Sequence, residues 1–466
     1  MTNQKSAYIF ICVAGFIIEV FLSMFLNLNG EAGNISLFMF IYLETFLIML
    51  ITFYLIKRLT KEPVQDQQET KKNESHFLSF FARLLSIEKE DSKKLKIPLL
   101  IILFGIIFRL TLFPTINTTS PDVSRYLWEG KILYHGYNPF ILSPDDTQLA
   151  KFHNDLYDKV TYKDMPAIYP PVAQGAFVLA YLISGEALTG LKVIYLAFDL
   201  LIIFMILKLL YIKKIDLNNI ILYAWMPLIL LEYFVNTHLD LVGIFFMISF
   251  IFLMEKNKVI GASVFFTLAF LTKMYPIILL PLIFKKAGVR KSLYFLLIFL
   301  FLSLVIYIPF IYKDTSVFSS LSTYLQKWQF NSSVYYLLKY QLGNEQLARL
   351  LCSGGFIISV GIISFFYKDF LKASYTIFIC LIIFSTTLYP WYLGWIASLN
   401  PFYNFYSVTS LLFSVNFSNF TPLGTVWKEY LFVLLIQYVP FYGLLIYDLW
   451  IIRRKKREEL NVIKYS

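Results

Sequence analysis

Cysteine is scarce in this 466-residue chain, with three, and histidine nearly so, with four. Cys12, Cys352 and Cys380 all fall inside apolar runs, and no Cys-x-x-Cys or His-x-x-x-His spacing occurs. That pattern excludes a disulfide scaffold and gives no sequence-local metal site. Charge is scarce too, at 15% against 58% hydrophobic residues, with a mean hydropathy of +0.65. No soluble domain of this size hides so much apolar surface. Acids are outnumbered by bases, 30 to 41, for a net charge of +11. The basic clusters "KRLTKEPVQDQQETKK", "KEDSKKLK", "KKAGVRK" and "RRKKREE" each abut an apolar segment. This is the placement of cytoplasmic loops under the positive-inside rule, beside membrane lipids, and it argues against a nucleic-acid partner.

What the chain has in quantity is long apolar runs. Segments near 7–28, 35–56, 97–113, 171–184, 190–212, 217–234, 240–255, 259–272, 275–285, 291–312, 345–367, 374–389, 391–415 and 427–451 stand out. Several are too short to cross alone, so the expectation is an all-α, polytopic integral membrane protein of about 11–13 transmembrane helices. The first segment has no small-residue cleavage site and reads as an anchor. The organisation expected is a hairpin at 1–56, a cytoplasmic loop at 57–96, a catalytic module at 97–400, further helices at 401–452 and a basic tail at 453–466. With 57–96 and the tail inside, the loop 114–170 lies outside. One conflict remains: strict alternation would put Lys213 and Lys214 outside as well. Either 171–184 turns back, or those lysines break the rule. The "SLNP" at 398–401 points to a second broken or re-entrant segment.

The outer loop carries "SPDVSRYLWEGKILYHGYNPF", Ser120 to Phe140, directly after a spanning segment. Ser120 reads as an N-cap with Pro121 at the first helical position and Asp122 in the first turn, where the helix dipole favours a carboxylate. Val123, Tyr126, Leu127, Gly130, Leu133, Tyr134 and Tyr137 form an apolar stripe suited to lying on a bilayer, so interfacial helices are expected here. A capping acid alone would be unremarkable. Asn236, His238 and Asp240, then Lys273 with Tyr275, and the "LYPWY" at 388–392 are all counted to the same side. Ionisable groups at membrane depth tend to face a cavity or a partner, so these clusters point to a shared extracytoplasmic site.

The stretches "PDVSRYLWEGKILYHGYNPF", "IYPPVAQ", "NTHLDLVGIFF", "LTKMYPIILLP" and "LYPWYLGW" resemble the polytopic GT-C glycosyltransferases over roughly residues 97–400. The group most resembled is glycosyltransferase family 87, with other polyprenyl-phosphate-mannose-dependent mannosyltransferases. The most specific part is Asp122, Tyr126 and Gly130 followed by Asn138 and Pro139. The resemblance implies transfer of a hexose, mannose by family alone, from a polyprenyl-phosphate donor to a glycolipid or polysaccharide acceptor outside the membrane, with inversion. Asp122 then takes the role of catalytic base, and no cofactor is implied. Lys273, Arg125, His238 and Asp240 are candidates for the donor phosphate or the substrate, with Tyr275 beside them. Tyr169, Trp391 and Tyr392 are candidates to pack on the sugar or the isoprene chain. Isoleucine, lysine and asparagine richness without a sorting motif favours a bacterial inner membrane.

One departure bears on metal. Relatives often carry Asp-x-Asp in the first loop, whereas Ser124 stands two residues after Asp122. Asp240 is a candidate for the second acid across space, as are Asp145 and Asp146. Without a local ligand set the reading leans to no metal. Two other classes stay open: a lipid-linked saccharide transporter, for which no internal repeat is found, and an O-antigen polymerase or ligase, for which the longest loop comes too early.

Overall fold

A computed structural model of the chain describes residues 2–27, 35–60, 76–311, 316–421 and 429–465. Residues 61–75 of the expected cytoplasmic loop, 313–315 of the loop at 313–330 and the last residue of the tail lie outside the described residues. The described chain is helical, with a single isolated bridge between Phe330 and Thr387. Seven helices are long and apolar enough to cross a membrane, or eight if Leu217–Ala224 and Pro227–Val235, bent by 47°, count as one span. Three shorter apolar helices follow the same composition: Pro171–Ser184, Val259–Phe270 and Phe370–Phe384. The protein is thus an all-α polytopic membrane protein, and the expected 11–13 crossings depend on how the short and broken elements are counted.

The break at 225–227 has a local cause. Pro227 cannot donate to the preceding turn, so Met226 takes an extended conformation and a new helix starts. The freed Ala224 carbonyl accepts from Arg109 at 2.7 Å. Arg109 is fully buried and ion-paired to Asp199, whose other oxygen accepts from Tyr223 Oη at 2.7 Å. A broken helix inside a membrane survives only when such partners satisfy its backbone. Residues 390–414 are broken likewise, into Pro390–Leu393, Gly394–Ala397, Asn400–Tyr403 and Tyr406–Ser414. The expected interruption near Pro401 falls here.

Ion pairs mark the two ends of the helix body. At one end Lys213 bonds both Glu255 and Asp369 at 2.9 Å, and Glu255 also faces Lys286. The Glu88 amide donates to Tyr211 Oη beside them, which places Lys213 and Lys214 at the same end as the 57–96 loop. The sequence conflict is thereby settled in favour of the first option: helix 171–184 stays at the opposite end. It ends at Gly185, whose φ of 61° turns the chain, and helix Thr189–Ile212 runs back from there.

At that opposite end, helix Asp122–Tyr134 packs lengthwise on helix 171–184. Gly130 makes this possible: a Cβ there would lie 2.7 Å from the Phe177 carbonyl carbon. Tyr126 stacks on Phe177 at 4.9 Å. The first part of the stripe expected to rest on a bilayer therefore rests on protein instead, with Val123, Tyr126 and Leu127 nearly inaccessible, while Tyr134 at its far end stays exposed. Nor do the charged positions face water. Glu129 and Lys131 are buried, Lys131 bonding Glu186 and the Phe152 carbonyl at 2.8 Å each. The Asn138–Pro139 pair ties this unit to helix Val289–Ile311, since Asn138 Nδ2 donates to the Phe310 carbonyl at 2.8 Å.

Candidate active site

Between this outer unit and the helix body lies a cavity of about 850 Å³. Seven residues named from the sequence line it: Asp122, Arg125, Tyr169, Lys273, Tyr275, Trp391 and Tyr392. His238 and Asp240 do not; they stand behind the wall. Tyr324, Trp328 and Tyr162, tertiary neighbours absent from the sequence reading, also line it, as does Glu129.

Asp122 opens its helix one residue later than the capping pattern suggested, and Ser120 Oγ accepts its amide at 3.3 Å. Among the described residues, no group donates a hydrogen bond to its carboxylate. Burial pushes the carboxyl up to about 6, against the pull of Lys273 and Arg125 and with a further push from Asp240. A carboxylate of that basicity is suited to taking a proton near neutral pH.

Lys273 follows helix 259–270 and donates to Asp240 Oδ1 at 2.7 Å. Trp395 Nε1 donates to the same oxygen at 2.7 Å, and Oδ2 has no hydrogen-bond partner. Gly243, one turn after Asp240, admits the Trp395 ring: a Cβ would meet it at 2.7 Å. The Lys273 ammonium lies 4.0 Å from the Tyr392 ring centre and 5.2 Å from that of Tyr275, so its open side is aromatic. Asp240 therefore serves Lys273. Held there, it does not supply a second acid beside Asp122.

Arg125 is largely spent on structure. Its Nε bonds Glu129 at 2.7 Å, one terminal nitrogen bonds the Tyr162 carbonyl at 2.8 Å, and the other bonds the Met165 carbonyl. Gln174 steadies Glu129 from helix 171–184 at 2.7 Å. The guanidinium thus clamps the 161–165 loop over the cavity, and few of its donors remain for a phosphate.

The aromatic wall is ordered by His238, whose ring stacks on Trp391 at 3.8 Å and 13°. Trp391 also lies parallel to Tyr389 at 4.6 Å. Ring face that a sugar would use is thus covered by protein, while its indole N–H has no partner. Tyr392 Oη meets Tyr324 Oη at 2.5 Å, joining the wall to helix Ser319–Lys327. Tyr169 Oη lies 3.4 Å from Tyr126 Oη.

Asp145 and Asp146 bond Ser143 and the Gln148 amide and do not reach the cavity. Among the described residues no three His, Cys, Asp or Glu side chains converge as a metal site.

Comparison with known families gives a match over part of the chain. Residues 101–287 fit the model of a family described as alpha-(1->6)-mannopyranosyltransferase, N-terminal domain. The matched stretch, about two fifths of the chain, spans the outer unit and the Asp240–Lys273 pair, so this part of the chain is similar to a family of mannosyltransferases, which are glycosyltransferases. Comparison with curated proteins finds no match.

Proposed function

We propose that the protein transfers a hexose, mannose by its family, from a polyprenyl-phosphate donor to a hydroxyl of a glycolipid or polysaccharide acceptor. One observation carries the reading: an unpartnered carboxylate, Asp122, and a buried ammonium, Lys273, line one cavity at the membrane end opposite the basic loops. The acceptor oxygen attacks the anomeric carbon and gives its proton to Asp122. The anomeric C–O bond to phosphate breaks, and a polyprenyl phosphomonoester leaves toward Lys273. A preorganised cation where charge gathers is worth several kcal/mol to such a transition state.

Two features favour this donor and this stereochemistry. Lys273 is balanced by Asp240 and Arg125 by Glu129, so the cavity holds no surplus positive charge. That suits a singly charged phosphodiester better than a nucleotide pyrophosphate. Retention by double displacement would need a second carboxylate free at the reacting centre. Glu129 lines the cavity but both its oxygens are taken by Arg125 and Gln174, and Asp240 lies behind the wall, bonded to Lys273 and Trp395. Inversion in a single step is the consistent outcome. By the positive-inside rule the cavity opens on the extracytoplasmic side of a bacterial inner membrane.

The test is sugar transfer from purified polyprenyl-phosphate mannose in membranes holding wild type, Asp122→Asn or Lys273→Ala, with and without EDTA. Transfer by wild type and near silence of an equally abundant Asp122→Asn uphold the base and the donor. Full activity of Asp122→Asn would remove the base assignment, and no transfer by wild type would remove the donor.

A further inference from the structure

The segment Glu232–Asp240 is buried and irregular. Residues Leu231–Val235 form a π-helical turn, and Thr237, with no exposure, takes a left-handed φ of 59°. Both features cost free energy and persist where surrounding structure demands them, often at functional sites. The irregular stretch places three alternate polar side chains, Asn236, His238 and Asp240, on three different errands. Asp240 holds Lys273 and His238 backs Trp391, leaving Asn236 to be explained.

Asn236 is fully buried and does not line the cavity, so it does not touch substrate. Its Oδ1 accepts the Thr118 amide at 3.2 Å and the Thr119 amide at 3.0 Å. Two backbone donors fix the amide orientation, so Nδ2 must face the other way. It donates to Thr119 Oγ1 at 2.7 Å and to Glu232 Oε2 at 3.1 Å. The turn so gripped is closed by Asn117 Nδ2 on the Ser120 carbonyl at 2.8 Å, and Ser120 Oγ then accepts the Asp122 amide. No group among the described residues donates to the Asp122 carboxylate, so its aim depends on where this turn holds the backbone.

We propose that Asn236 is a positioning residue for Asp122: it holds the 117–121 turn so that the carboxylate faces the cavity. Glu232 is its buried counterpart, accepting from Nδ2 and keeping the amide from rotating. The inference rests on the reading of Asp122 as base.

The test measures kcat, donor KM and the acid limb of the pH–rate profile in Asn236→Ala, Asn236→Asp and the double variant Asn236→Asp with Glu232→Gln. The double variant exchanges donor and acceptor at constant charge. Displacing a base by an ångström costs about 10²-fold in rate, so kcat falls roughly 10- to 100-fold in both single variants while donor KM stays within about twofold. The exchange restores most of the loss. The acid limb also moves down toward the ordinary carboxylate value of about 4, as the carboxyl swings out of the buried site. Three charged groups act on Asp122 there, Lys273, Arg125 and Asp240. The tyrosines coupled to it, Tyr126, Tyr162, Tyr169, Tyr324 and Tyr389, have hydroxyls pushed above their ordinary range and stay neutral through this window.

Unchanged kcat and acid limb in an abundant Asn236→Ala overturn the proposal, as does a rise in donor KM alone or an inactive or unstable double variant. If Asp122→Asn is silent but Asn236→Ala is normal, only the positioning role fails. If Asp122→Asn is itself active, the base reading fails and the positioning role with it.

Discussion

Two buried ion pairs in this protein look alike in sequence and do different things. Arg109–Asp199 joins two spanning segments with both partners fully buried. Each Asp199 oxygen is engaged, one by Arg109 and one by Tyr223, and Arg109 also caps the Gly105 and Ala224 carbonyls. Lys273–Asp240 likewise joins two segments, yet Asp240 uses one oxygen for both its donors, and Lys273 turns its remaining side to the cavity. The first pair is closed at its carboxylate, with only one Arg109 terminal nitrogen, by the Phe234 ring, lacking a hydrogen-bond partner, and its work is to hold a broken helix. The second is open, so its cation is available to a phosphate. Closure, more than burial or charge, separates a structural pair from a chemical one.

The comparison can be broken most decisively at the carboxylate that faces the open pair. Asp122→Asn should lower transfer by about 10²–10⁴-fold, the usual worth of a positioned base, with abundance in the membrane unchanged. The closed pair should answer in stability instead. Arg109→Met strands Asp199 and should cost about 3–5 kcal/mol, read as a lower melting temperature and less protein in the membrane. Activity per surviving molecule should be near normal. Equal damage to activity and abundance from Arg109→Met would merge the two pairs into one class.

Lys273→Met should do the reverse, with protein retained and turnover reduced by about 10²-fold, the typical cost of one lost electrostatic donor. The same variant sharpens the picture through pH. Asp122 must be ionised to accept a proton, so activity should fall as pH drops through about 6. Because Lys273 pulls that value down, its removal should move the acid limb to higher pH; a limb that stays put would mean the two groups do not share a field. The smallest effect expected is that of Trp391→Phe. It keeps an aromatic ring against His238 while removing an unpartnered N–H and part of the stacked area, so the loss should be about 1 kcal/mol, under tenfold in kcat/KM.

Much of the site was legible before the fold was known, for one reason: ionisable residues are rare in this chain, and each one in or beside an apolar run is conspicuous. Asp122 and Lys273 stand out that way, whereas Tyr169 and Tyr392 follow from the family resemblance and Tyr275 from its place beside Lys273. The same signal is present at Glu232, Arg109 and Asp199 without singling them out, because acids and bases inside a run do not announce whether they meet each other or a cavity. Tyr324, Trp328 and Tyr162 carried no signal, since aromatics make up 19% of the chain. The outer helix was placed well and its surroundings were not. Its stripe of apolar residues marks avoidance of water, and in a membrane protein lipid and protein satisfy that equally.

By itself the sequence determined the class: too apolar for water, punctuated by basic loops, with a carboxylate and a lysine set at segment ends. Tertiary structure alone decided which of these meet. Asp240 reaches Lys273 across 33 positions and Trp395 across 155, separations on which no helical period bears. It also decided that helix 171–184 turns back, that Arg125 clamps a loop, and that His238 and Asp240 stand behind the wall and not in it. The reason is physical. Hydropathy records the transfer of each residue out of water, whereas partner and orientation follow from packing among groups that have all left water already.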